Sequence, residues 1–196
     1  MALLRLLTRT HLLPALLLAL LLAGTLAPAA PAWAEPGAPL IEHQVKAAYL
    51  YKFTGFVEWP EGSFARADSP ILIGVAGNEA LAEQLEQIVA GRSANGHPIE
   101  IRRLKRGEPP GALHIVYIGG NDRALVSELL AATRGQPVLT VSDSDTAFSL
   151  GCMINFVVAD ERLRFQVALK PVASSRLRIS ARMLAAAQKV HTEGVS

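Results

Sequence analysis

The chain has 196 residues, 51% of them hydrophobic and 18% charged, with a formal net charge of +2 and a single cysteine, Cys152. One cysteine excludes an intrachain disulfide, a CxxC redox site and a cysteine-based zinc site. Arg5 and Arg9 lie in the leader, so the rest of the chain balances its charge and no nucleic-acid partner is implied.

The leader comes first. A basic stretch with Arg5 and Arg9 precedes an almost continuous apolar run, Leu12 to Leu26, and Ala32-Trp33-Ala34 supplies a small-x-small cleavage site. Residues 1–34 therefore read as a signal peptide, cut between Ala34 and Glu35. The apolar run falls short of the roughly 20 residues a spanning helix needs, and Pro14, Pro28 and Pro31 interrupt the segment. An exported, periplasmic protein without stable membrane insertion is expected.

From Ile41 to Trp59, Val45, Ala48, Tyr49, Lys52, Phe53 and Phe56 recur at helical spacing. Gly55 weakens the end of this helix, Pro60 stops it, and Trp59 stands at its exit. Trp59 is either a lid over the core or an exposed anchor for a partner.

Two similar units follow. Ile71 to Glu79 and His114 to Asp122 each run from a buried strand through a glycine turn to an Asn suited to cap a helix. Between them, Asn95-Gly96 turns into a short strand, Ile99 to Leu104. Neither turn carries a dinucleotide or P-loop fingerprint, so tight turning explains the glycines. His114 reads as a hydrogen-bonded core histidine. Asp143 and Asp145 read as loop-shaping residues.

Val138 to Val141, Val-Leu-Thr-Val, is apolar but for Thr140, as in a strand covered on both faces. Cys152 falls on an alternating apolar run with Ile154 and Phe156, which suits a buried, inert thiol. After Asp160-Glu161, Leu163, Phe165, Val167 and Leu169 alternate with Arg162, Arg164 and Gln166, an antiparallel strand with one wet face. In the tail, Ser180 can cap a helix with the stripe Met183, Leu184, Ala187 and Val190. The alternating order implies a single α/β domain over 35–196, with a central mixed β-sheet of about five to six strands flanked by helices.

No nucleophile elbow, His-Glu-x-x-His or histidine ligand spacing is present, so neither enzyme nor cofactor is implied. Arg162 to Lys189 is rich in bases, among them Arg176, Arg178 and Arg182, and contains no acid. Solvated faces explain such a run; a basic docking face for an acidic partner is the alternative.

Several blocks carry a resemblance. Lys46-Ala47-Ala48-Tyr49-Leu50-Tyr51-Lys52-Phe53 followed by Phe56-Val57-Glu58-Trp59-Pro60 resembles the opening signature of the YfiR-like family of periplasmic proteins. Leu139-Thr140-Val141-Ser142-Asp143, Gly151 to Phe156, Arg162 to Phe165, and Leu177-Arg178-Ile179-Ser180 with Met183-Leu184 resemble its later blocks. The resemblance implies a non-enzymatic repressor that binds the periplasmic sensory domain of an inner-membrane diguanylate cyclase and lowers cyclic di-GMP. It leaves a homodimer open, and the lone Cys152 rules out redox control through an internal disulfide. Trp59 and the group Arg176, Arg178 and Arg182 are the candidate partner-binding residues. A periplasmic small-ligand-binding or accessory protein of an envelope transport or sensing system is the alternative.

Overall fold

The structure, a computed structural model, describes residues 38–193. The expected leader and cleavage site at Ala34 and Glu35 lie outside the described residues.

Helix α1, Ala38–Phe53, opens the domain. It ends six residues earlier than the expected Trp59, because Thr54 turns back and its hydroxyl donates to the Tyr51 carbonyl at 2.6 Å. Its buried stripe is Lys46, Ala47, Leu50 and Phe53, while Val45 and Lys52 face solvent. Apolar residues on several sides of α1 made its period ambiguous, and contact with the sheet selects the face. The chain then enters a two-residue strand, β1 (Val57–Glu58), that pairs antiparallel with β9 (Arg178–Ile179) far along the sequence.

The two βα units form as expected: β2 (Ile71–Ala76) with α2 (Glu79–Val89), and β5 (Ile115–Ile118) with α3 (Arg123–Thr133). Asn78 caps α2 by accepting from the Leu81 amide. In the second unit the cap is Asp122 rather than Asn121; its carboxylate accepts from the Ala124 and Leu125 amides. Between the units lie β3 (Ser93–Ala94) and β4 (His97–Leu104). Strand β6 (Leu139–Ser142) is buried at every position. It leads through α4 (Asp145–Ser149) to β7 (Ile154–Ala159) and β8 (Arg162–Ala168). Asp160 and Glu161 join β7 to β8 with φ of 50° and 57°, the left-handed pair of a tight two-residue hairpin. The alternation of β8 stops at Ala168, since Leu169 begins α5 (Leu169–Ser174). Ser180 caps α6 (Ala181–Ala186) as expected, whereas Val190 lies not in that helix but in a last strand, β10 (Lys189–His191).

The main sheet has the order β10-β8-β7-β6-β5-β2-β4-β3. The expected strands make its body, and the short β3 and β10 close its two edges, bringing it to eight strands. Pairings among β4, β2, β5, β6 and β7 are parallel; β8 runs antiparallel to β7, which makes the sheet mixed. Alternation divides the core. Ile71, Ile73, Val75, Ile115, Tyr117, Leu139 and Val141 pack with α1 and α2 residues such as Leu50, Phe53, Leu81 and Leu85. Ala76, Val116 and Ile118 pack with Val126, Leu129 and Ala147 from α3 and α4. Truncating a core aromatic such as Phe53, which is 2% exposed, to alanine costs about 3–5 kcal/mol.

Candidate functional site

The β1–β9 ribbon brings two of the sequence candidates together. Glu58 stands opposite Arg178, and their side chains pair at 3.6 Å in the open, Arg178 being 84% exposed. Alternation along β1 puts Val57 inward and Glu58 outward. Trp59, next in line, turns back inward: its indole N–H donates to the His114 carbonyl at 3.3 Å, and its ring meets Phe64 and His114 edge-on. Trp59 therefore sits as a half-buried lid over the core and follows a strand rather than a helix. Arg176 lies in the turn before β9 with φ of 57° and is exposed, as is Arg182 on α6. So Arg176, Arg178 and Arg182 face solvent, with Arg178 sharing its charge with Glu58.

His114, beneath Trp59, is buried and doubly bonded. Its Nδ1 accepts from the Leu72 amide at 3.1 Å, so its Nε2 carries the proton and donates to the Ser63 carbonyl at 3.2 Å. Burial lowers the pKa of its imidazole, Ser63 opposes that, and nearby His97 adds to it.

A polar cluster at the carboxyl end of the parallel strands has no counterpart in the sequence reading. Lys46 of α1 is 3% exposed, and its ammonium lies 2.5 Å from both Glu42 and Asp143. Burial pulls the ammonium pKa down, but the hydrogen bonds and charges of Asp143 and Glu42 together outweigh it and leave the pKa raised. The phenol of Tyr117, near Asp143 and Asn78, is raised first by burial and then by the Asp143 charge. Among the described residues its hydroxyl has no hydrogen-bond partner, nor have Ser144 Oγ and Asn155 Oδ1, while the Asn155 amide donates to Asp145 at 2.9 Å. Asp143 and Asp145 are thus tied into this cluster beyond shaping a loop. Glu42 and Lys46 at helical i,i+4 spacing were the one local signal for it; Asp143 is 97 residues away from Lys46.

A family model described as YfiR/HmsC-like matches residues 43–188, most of the chain. The chain belongs to the YfiR/HmsC-like family. The match begins within α1 and runs through α6, so it takes in Lys46 and Asp143 of the polar cluster, though not Glu42, together with the Trp59 lid and the β1–β9 ribbon. Among the described residues of this YfiR/HmsC-like chain, no helix is long and apolar enough to cross a membrane, and no three His, Cys, Asp or Glu side chains group as a metal site.

The strand order reverses between β2 and β5, the place where open α/β sheets form a ligand crevice. In this YfiR/HmsC-like domain the two glycine turns fill it. A Cβ on Gly77 would lie 2.5 Å from the Gly119 carbonyl oxygen, and one on Gly119 would lie 3.0 Å from both Asn78 and Tyr117. The glycines serve mutual backbone approach there, in addition to tight turning. Cys152 is fully buried, but it packs in the α3–α4 core while Ile154 and Phe156 belong to the α1–α2 core. It precedes β7, so strand alternation does not reach it. Burial pushes its thiol pKa up to about 11, far from a reactive thiolate.

Proposed function

We propose that this protein is a non-enzymatic periplasmic regulator, exported by cleavage between Ala34 and Glu35 with residues 35–196 as its mature domain. In this reading it binds the periplasmic sensory domain of an inner-membrane diguanylate cyclase and holds that enzyme inactive, lowering cyclic di-GMP. The YfiR/HmsC-like match over residues 43–188 carries the reading. A repressor without chemistry of its own must act by differential affinity, binding the inactive state of its target more tightly than the active one. Moving a target from 99% active to 99% inactive takes a preference of about 10⁴-fold. That calls for a specific surface, and the outward-facing Arg176, Arg178 and Arg182 beside the β1–β9 ribbon supply a basic one that would steer toward an acidic domain.

The test is titration calorimetry of the mature protein against the isolated periplasmic domain of an inner-membrane diguanylate cyclase from the same cell, with cyclic di-GMP measured in cells. Wild type should bind, and deleting the gene should raise cyclic di-GMP. The triple charge reversal Arg176→Glu, Arg178→Glu, Arg182→Glu should weaken binding at least tenfold with little change in melting temperature. Absence of wild-type binding would overturn the regulator reading for that partner. Unchanged binding by the triple variant would move the interface elsewhere. Mass spectrometry of the exported protein should give a chain beginning at Glu35.

A further inference from the structure

A second concavity lies at the opposite pole of the sheet, away from the Lys46 cluster. It opens between the ends of α3 and α4 and the start of α5, and encloses about 450 Å³. Small-molecule sites span roughly 300–1,000 Å³. Leu130, Phe148 and Met153, all buried, supply an apolar wall, and Thr140 at the start of β6 lies behind them. Leu150 stands on the same lining although it is 37% exposed, one of few large apolar side chains left in water among the described residues.

The charge on this lining is of one sign. Arg134 and Lys170 line the cavity, no carboxylate does, and neither cation forms an ion pair among the described residues. The helix ends offset them only in part. Carbonyls in the last turn of α3 are taken by the Thr133 hydroxyl and by the Arg134 and Gln136 amides. Those of α4 are taken by the Leu150, Gly151 and Cys152 amides and the Ser149 hydroxyl. What remains is an apolar cleft with two cations that have no carboxylate partner among the described residues. An apolar ligand bearing one negative group answers both features, because its body removes apolar surface from water while its anion meets the cations.

We infer that this cleft binds a small, soluble organic anion, an aromatic or branched aliphatic body carrying one carboxylate or sulfonate. The inference rests on the cavity and is independent of the cyclase partner.

The probe is 8-anilinonaphthalene-1-sulfonate, titrated into the folded mature protein by calorimetry and fluorescence. Two displacers share one apolar body and differ in sign: 4-phenylbutyrate and 4-phenylbutylamine. One probe should bind per chain, the carboxylate should displace it, and the amine should not. The double variant Arg134→Glu, Lys170→Glu changes two exposed side chains and should weaken probe binding at least tenfold. Ser174→Trp, at an exposed position on the lining, should block the cleft while the melting temperature is kept. No saturable single site, equal displacement by the amine, or undiminished binding in both variants would overturn the inference. So would sedimentation with phosphatidylglycerol vesicles in the absence of soluble-anion binding, which would make the cleft a lipid contact.

Discussion

Replacing Lys46 with methionine tests the polar cluster most directly. Methionine keeps an unbranched stem against the core but leaves Glu42 and Asp143 facing each other without the ammonium between them. Removing one partner of a buried ion pair costs about 3–5 kcal/mol. Here the carboxylates keep 45% and 24% of their exposure, so water screens part of the repulsion. A loss of about 2–3 kcal/mol follows, at or just below the bottom of that range. In a domain of this size each kcal/mol moves the melting point by about 2–4 °C, so the variant should melt roughly 5–10 °C lower. The pH dependence has a definite sign. Folding raises the Lys46 pKa, so its stabilisation is complete below the unfolded value of about 10.4 and fades as pH climbs from there through the folded value. The gap between wild type and Lys46→Met should therefore be constant from neutral pH to about 10 and narrow above it. Urea unfolding of a chain starting at Glu35, followed by the fluorescence of Trp59, its one tryptophan, measures this at each pH. A variant within about 0.5 kcal/mol of wild type, the usual range of a neutral surface change, would refute the reasoning; so would a gap that widens in alkali.

Trp59→Ala should cost about 2–3 kcal/mol, below the figure for a fully buried tryptophan because the ring is only half buried, and Trp59→Phe should recover most of it; stability unchanged in thermal melts would return Trp59 to the role of an exposed anchor. His114 has a lowered folded pKa, so its contribution is present above about pH 6.5 and is lost as pH falls through the folded value, when protonation of Nδ1 breaks the bond from the Leu72 amide. His114→Gln should flatten the decline in stability between pH 7 and 5 seen by calorimetry, and an unaltered slope would assign that decline to other groups. Cys152 should resist a thiol reagent in the native state and react on unfolding, with Cys152→Ala costing about 1 kcal/mol; rapid native labelling would contradict its burial.

Legibility followed the range of each interaction. Strands β2, β5 and β6 were readable because burial on both faces writes a continuous apolar run, and β8 because one wet face writes an alternation. Caps depend on three or four neighbouring residues, so Asn78 and Ser180 were readable; at Asn121-Asp122 two competent caps sit side by side, and the structure takes the second. The end of α1 is not legible in the sequence because β1 exists only through its pairing with β9, which no local pattern near Trp59 reveals. The inward turn of Trp59 depends on the His114 carbonyl, 55 residues on, and the Lys46 site on Asp143. Local sequence supplied the charges and the aromatic; chain topology determined which of them meet.

The two edge strands govern how copies of this chain can associate. β3 covers only His97 and Pro98 of β4, and β10 only Gln166 to Ala168 of β8, so among the described residues no strand pairs with the outer edge of Ile99–Leu104 or of Arg162–Arg164. Charge guards these edges: Arg102 and Arg103 on β4 and Arg162 and Arg164 on β8 would meet their own copies in edge-to-edge growth, which works against fibrils and dimers sharing a continuous sheet. A strand that did add there would need acidic side chains facing these arginines, so side-chain charge as well as backbone pairing would select the partner.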